Sequence, residues 1–323
     1  MPIDPTWANP TVTRSRIVLE IASELVNDAD QPYNQAMVML RDEVADAPEW
    51  RLNLFASNSH EGIEAVVARR AVLSIVNPSG QLGLAYRGAA PYGRPQPVRS
   101  IAIIPSLDQF AFAVNKDTGL TSFEDIAARR YPLRISMRGQ PDHSLHFILD
   151  HVMQAAGFSV EDLRSWGGEI RKEGSLPYPK GPKFSALAKG EINAIFDEAV
   201  DVWLEAALGV GMTILPLSES TVRKVEEKGC RRAVIGKRTF PQLPHDVLTI
   251  DFSGWPIFVH AETADHLVTQ ICAGLEARKD RIPWQGHGPL PTHRMCRDLP
   301  ENPMNVPLHP AAERFWGKCG YLD

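Results

Sequence analysis

Cysteine is scarce in this chain, with four among 323 residues, and Cys230, Cys272, Cys296 and Cys319 form no C-x-x-C pair. Such spacing offers neither a zinc ribbon nor a disulfide framework and suits reduced thiols. A bridge between Cys296 and Cys319 would require an exported chain. No window approaches the roughly 18 consecutive apolar residues of a membrane helix, so direct membrane insertion is not expected. Basic excess is also missing. Lys and Arg number 34 against 39 Asp and Glu, a formal net charge of -5, which leaves no basic face for nucleic acid and no polybasic anchor. The motifs G-x-S-x-G, the Walker loop and G-x-G-x-x-G are all absent, so serine-hydrolase, nucleotide and dinucleotide chemistry have no support, and no cofactor is expected. The start, Met1-Pro-Ile-Asp-Pro-Thr-Trp, lacks the basic and apolar stretches of a secretory signal. As written, the chain reads as cytoplasmic, or as periplasmic if it is a processed mature form.

What remains is ordinary globular material, 44% hydrophobic and 23% charged. The length exceeds the roughly 250–300 residues at which one core usually divides, so two lobes are expected. Twenty-six prolines and 23 glycines point to many short elements. Arg16 to Ala22 reads as a strand, and Met37, Leu40 and Val44 share helical spacing within Gln35 to Val44. Residues 51–56 alternate as a strand, a polar turn Ser57-Asn-Ser-His60 follows, then a helix from Glu61 to Arg70 and a buried strand from Ala71 to Val76. Strand, turn, helix, strand is the grammar of a parallel sheet with a right-handed crossover. Further strands are read at Val98–Ile104, Phe110–Val114, Leu133–Met137, Ile192–Phe196, Met212–Leu217 and Trp255–Val259. Helices are read after Thr121, from Ser144 to Ala156, at Phe184–Lys189, Ala199–Leu208, Ala264–Ala277 and His309–Trp316.

The most informative segment runs from Met137 to Leu145. A strand that ends in Arg-Gly-Gln-Pro-Asp-His-Ser and enters a helix presents unpaired N–H groups and a positive dipole end, which suits a carboxylate or phosphate. Gly139 permits close backbone approach, and Ser144 adds a hydroxyl. The plainer alternative is that Asp142 or Ser144 only caps the helix. His143, His146, Asp150 and His151 share a helical face but lack the tight spacing of metal motifs, so no metal is expected. In open parallel sheets ligands bind beyond the carboxyl ends of strands. That rule makes Ser57, Asn58 and Ser59, the turn Asn77-Pro-Ser-Gly80, and Asp197-Glu198 further pocket candidates. The two carboxylates also fit a plain helix N-terminus.

The order of motifs resembles the TAXI family of solute-binding proteins that serve TRAP transporters. Gly119-Leu-Thr-Ser-Phe-Glu-Asp-Ile is similar to that family's Gly-Ile-Lys-Ser-x-x-Asp-Leu. Leu187-Ala-Lys-Gly-Glu-Ile-Asn-Ala-Ile-Phe is similar to Leu-x-x-Gly-x-Ile-Asp-Ala-x-Phe, and Leu308-His-Pro-Ala-Ala-Glu-Arg-Phe-Trp to the terminal His-Pro-Gly-Ala-x-x-Tyr-Tyr. The family's Thr-Gly-Gly-Ser turn is replaced here by Ser57-Asn-Ser-His60, and its Gly-Ser-Gly turn by Pro141-Asp-His-Ser144.

The resemblance implies a two-lobed α/β fold of the type II periplasmic-binding-protein kind, with a ligand cleft and two crossover strands. Lobe one is expected over 1–112 plus 255–323 and lobe two over 113–254. A small carboxylated ligand would lie between Ser57, Asn58, Ser59 and Asn77 on one side and Gly139, His143, Ser144 and Glu198 on the other, with Asp108 completing the ring. TRAP-type permease subunits would be the membrane partners. The alternative is a cytoplasmic lyase or decarboxylase on the same fold, in which His143, Glu198 and Asp142 would carry acid–base work.

Overall fold

The computed structural model describes Leu19, residues 35–40 and 50–55, and residues 61–322 apart from Asp142. Two sheets organise the chain. The first contains β1 (Gln35–Leu40), β2 (Trp50–Phe55), β3 (Leu73–Ile75), β4 (Val98–Ile104) and β12 (Trp255–His260), in the order β1-β2-β3-β12-β4. The second runs β10 (Arg232–Ile235), β11 (Val247–Asp251), β5 (Gln109–Asn115), β8 (Ala194–Asp197), β6 (Arg134–Met137) and β7 (Glu169–Lys172), with β9 (Met212–Ile214) also paired to β5.

In the first sheet β2 and β3 are parallel, linked by α1 (Glu61–Val67), as the strand-turn-helix-strand reading requires. β12 lies antiparallel to both β3 and β4. The apolar residues of β4 are buried because helices cover the sheet. Trp316 of α11 (Pro310–Lys318) is fully buried, and its indole N–H donates to the Ile101 carbonyl at 2.9 Å. The second sheet is built around α4 (Ser144–Ala155). Its buried Leu145, Ile148, Leu149, Val152 and Met153 recur at three- and four-residue intervals, the stripe of a core-facing helix. They pack with an aromatic cluster in which Phe112 lies 4.6 Å from Phe123 and 5.2 Å from Phe196, centroid to centroid. On the other face α7 (Val200–Gly209) buries Trp203 and Leu204.

The chain leaves the first sheet after Ile104 and returns to it at Trp255. These two crossovers lie side by side: the Phe252 N–H donates to the Asp108 carbonyl at 3.0 Å and the Gly254 N–H to that of Ser106 at 2.9 Å. Ser253 hydroxyl and the Asp108 backbone bond reciprocally at 2.9 Å.

Three expectations need correction. Gln35–Leu40 is a strand, not a helix. Its six residues pair antiparallel with β2 from Gln35 opposite Phe55 to Leu40 opposite Trp50, and this ladder satisfies the backbone where the apolar spacing had suggested a helix. Leu19, the one described residue of the strand expected at Arg16 to Ala22, is helical and exposed, a region where only three consecutive apolar residues carried the reading. The stretch after Asn77, read only as a turn, enters helix α2 (Ser79–Arg87), closed by Gly88 in the left-handed conformation. The helix start after Thr121 is short, α3 (Asp125–Ala128), and is capped as expected. The Asp125 carboxylate accepts from the N–H groups of Thr121 and Ser122, while Ser122 hydroxyl accepts from Asp125 N–H. All four cysteines are free thiols.

Helix α2 is pressed against the second sheet's helices. A Cβ at Gly83 would lie 2.1 Å from the Gly229 carbonyl oxygen, whereas one at Gly80 would meet Cys230 Sγ at 3.6 Å, an ordinary contact. Gly83→Ala is therefore expected to destabilise by about 1–3 kcal/mol through forced separation of backbones. Gly80→Ala is expected to be neutral or stabilising by at most about 1 kcal/mol through helix propensity. Urea titrations of the two variants check the contrast.

Candidate functional site

Two parallel neighbours, β6 and β8, end at the same edge of the second sheet, with Ser136 opposite Ile195. Arg138 follows the first strand, while Asp197 ends the second and Glu198 follows it. The pairing thus brings together residues separated by about sixty positions in sequence. Arg138 Nε donates to Asp197 Oδ1 at 2.8 Å, and its Nη2 donates to Glu198 Oε1. Lys183, near the start of α6 (Pro182–Ala188), donates to Asp197 Oδ2 at 3.2 Å. All four side chains are buried. Charges removed from water in this way are held only by mutual pairing, and deleting one partner strands the others.

The first crossover adds a third carboxylate. Asp108 accepts from the N–H groups of Gln109 and Ala199 at 2.8 Å each, and from Val200 at 3.4 Å, so it caps the start of α7. Ala199 sits there in the left-handed region, φ 54°, a conformation that a non-glycine residue adopts only under local constraint. Three carboxylates face two cations, and burial works against keeping all three charged. Burial pushes Glu198 up to about 9, Arg138 opposes the shift, and the hydrogen-bonded Asp108 carboxylate adds to it. Asp108 is raised by burial to about 6, the bond from Glu198 opposing. Asp197 is raised by burial against the pull of Arg138 and Lys183, and burial lowers Lys183.

His143 completes the cluster. Its ring lies 6.3 Å from that of Phe252, nearly parallel, and its Nε2 is 3.8 Å from Glu198 Oε1. Burial, reinforced by Arg138, lowers it to about 3, so the imidazole stays neutral. Nδ1 accepts from Leu145 N–H at 3.2 Å, which makes His143 the cap of α4. Of the two caps offered by the plainer reading, Asp142 lies outside the described residues. The Ser144 hydroxyl instead donates across the junction to the Asn77 carbonyl at 2.7 Å. Asn77 keeps a buried side-chain oxygen that accepts no hydrogen bond among the described residues.

The structure thus gathers Asp108, His143 and Glu198 around Arg138, and sets Asn77 beside Ser144. Gly139 belongs to a neighbouring turn. Its N–H donates to the Gly174 carbonyl at 2.9 Å, and a Cβ there would lie 2.9 Å from Gly174 N, so the close approach is to the protein's own backbone. Ser57, Asn58, Ser59 and Asp142 lie outside the described residues. His146 and His151 bond the carbonyls of Gln140 and Ala90 at 2.9 and 2.8 Å, and among the described residues no three metal-capable side chains converge. Sequence reasoning missed Arg138 and Lys183. The signal for Arg138 was present, a cation at the carboxyl end of a strand, directly before a glycine.

Two α/β lobes joined by paired crossovers, with a polar junction between them, define a two-lobed fold of the type II periplasmic-binding-protein kind. The chain belongs to the NMT1-like family, whose model matches residues 54–320. No curated protein sequence matches it. Among solved structures it is similar to the periplasmic sulfonate-binding protein SsuA of Methylobacillus flagellatus, with 13% identity, a TM-score of 0.33, and coverage of 68% of this chain and 53% of that one. This chain therefore spans about half the length of that protein. Malate-bound MatC of Rhodopseudomonas palustris shows 12% identity and a TM-score of 0.39, covering 68% and 70%. PhnD1 of Prochlorococcus marinus, in complex with methylphosphonate, shows 11% and 0.37, covering 70% of each. No helix of the described residues is long and apolar enough to cross a membrane.

The raised Glu198 has a definite effect on stability. A folded-state value near 9 against an ordinary 4.5 means that the native state holds the extra proton across that window, so stability falls as pH rises through it. Depression of His143 acts oppositely, but only below its ordinary 6.5. Between about pH 7 and 8.5 the carboxyl dominates, with a limiting slope of about 1.4 kcal/mol per pH unit. Glu198→Gln, which keeps a neutral side chain of the same shape, is expected to flatten this limb in urea titrations at stepped pH.

Proposed function

We propose that the protein is a solute-binding protein that captures a small carboxylated organic molecule between its two lobes and presents it to a membrane permease. The observation that carries this reading is Arg138. Its Nε and Nη2 hold Asp197 and Glu198, while Nη1 has no acceptor among the described residues, which leaves one edge of a buried guanidinium for a ligand carboxylate. Arginine binds carboxylates through such planar donor edges. The unpaired Asn77 oxygen, across the junction, would accept from a ligand hydroxyl or amine. Family membership and the order of TAXI-like motifs support a transport role, and with it the TRAP-type permease partner and a periplasmic location.

The lobes are proposed to divide at the crossovers, at residues 105–108 and 252–254, with the second sheet forming the inserted lobe. Closure about this pair would bury the ligand. His143 and Glu198 would be the acid–base pair of an enzyme. Here the histidine Nδ1 is engaged by the helix it caps and Nε2 stands beyond hydrogen-bond reach of Glu198, so the geometry favours holding a molecule over transforming it.

Calorimetry of the purified protein against a panel of mono- and dicarboxylates is expected to find a ligand of micromolar or better affinity that mass spectrometry recovers unchanged. Asn77→Ala is expected to weaken that ligand by about tenfold, the loss of one hydrogen bond of about 1–1.5 kcal/mol. Conversion of the ligand, or a panel without a single binder, would overturn the proposal.

A further inference from the structure

A cavity of about 440 Å³ opens beside the crossovers. It lies between strand β10, the end of β11 and the segment around Asp298–Pro303 that returns from the first lobe. Its size falls in the roughly 300–1,000 Å³ range of small-molecule sites. Part of its rim is apolar. Leu107 and Val234 are among the most exposed large apolar side chains of the described residues, at 62% and 51%, and Leu299 and Pro300 line the same space.

Asp251 lies in the wall, 7% exposed, and its buried Oδ2 has no hydrogen-bond partner among the described residues. Ser253 and the charge of Arg231 both favour the ionised form of this carboxylate, but the donors of the two arginines that line the cavity are directed to other acceptors. Arg231 binds Asp298, the Asn305 side-chain oxygen and the Met304 carbonyl at 2.5, 2.6 and 3.0 Å. Arg232 binds Glu226 at 2.8 and 2.9 Å and Glu219 at 3.1 Å. The other groups near Asp251 are the buried Cys230 thiol, the neutral Gln109 opposite it in β5, and Asp108 beyond Ser253. None supplies a positive charge. A buried carboxylate with one orphaned oxygen, beside the apolar side chains of Leu107 and Val234, has the chemistry to hold an ammonium group that carries an aliphatic tail.

We propose that this cavity is a second ligand site, separate from the interlobe cluster, and that it takes a small organic ammonium ion with a short aliphatic chain. The ammonium donates to Asp251, and the chain covers Leu107 and Val234. Because Asp251 is raised by burial to about 6, occupancy requires the ionised form and weakens as pH falls through that value.

The probe is n-butylammonium chloride, titrated into the full chain and followed by calorimetry and by ligand-observed NMR, with sodium chloride at equal concentration as reference. Saturable binding is expected for butylammonium, weaker binding for methylammonium, and none for sodium. Asp251→Asn is expected to weaken butylammonium by about tenfold or more, the loss of a charge-assisted hydrogen bond. Val234→Lys, at an exposed position that leaves folding intact, is expected to do the same by placing a cation at the rim. Affinity at pH 5 is expected to fall severalfold below that at pH 7.5. Asn77→Ala is expected to leave butylammonium binding unchanged, so the two sites fail independently. Equal response to sodium, undiminished affinity in Asp251→Asn or Val234→Lys, or affinity indifferent to pH would each overturn the proposal.

Discussion

Burying an arginine and a lysine with three carboxylates at one junction constrains everything around it. Desolvation of such groups costs several kcal/mol per ion, and the cost is recovered only where pairing and hydrogen bonds are nearly complete. Arg138 therefore has to meet Asp197 and Glu198 together, which requires β6 and β8 to be parallel neighbours ending at one level. Asp108 has to arrive from the crossover and cap α7, and Ala199 accepts a left-handed backbone so that its N–H reaches that carboxylate. The arrangement of the sheet and the path between the lobes follow from the same electrostatic requirement.

With three carboxylates against two cations, burial drives Glu198 toward its protonated form. The raised Glu198 makes the cluster adjustable in one direction: positive charge brought near it favours loss of that proton. The neutral His143, flat against Phe252, separates these charges from the aromatic core behind them. A site held by fixed ion pairs alone would have no such freedom.

Much of the fold was legible because it is written in local periods. The apolar runs of β4, β5 and β12, the stripe of α4 and the caps around Thr121 all declare themselves within a few residues. Where the period is short or ambiguous the reading fails. Met37, Leu40 and Val44 fit a helix as well as Ala-Met-Val-Met-Leu fits a strand, and pairing with Arg51–Phe55 decides it. Helix α2 was hidden because Gly80 and Gly83 look like loop residues, although Gly83 serves close packing against Gly229. For the site, the turn after β6 and the acids after β8 were visible singly. Their union through Arg138 was not, because partners 59 and 60 residues apart leave no trace in a local pattern. Likewise the bond from Leu145 N–H to the His143 ring was not foreseen, since histidine is not among the usual capping residues.

The position of β12 has a consequence for how the chain is made. It is the central strand of the first sheet, flanked by β3 and β4, yet it comes after the whole of the second sheet in sequence. During synthesis, β3 and β4 emerge early and wait, unpaired with each other, for some 150 further residues. The strands of the second sheet come from one continuous stretch, 109–251, which is free to fold first. The first lobe is then a late assembly, completed when β12 slots between its waiting neighbours and the C-terminal Trp316 closes over them. Domains that fold as units during translation would here finish in the reverse of the order in which they begin.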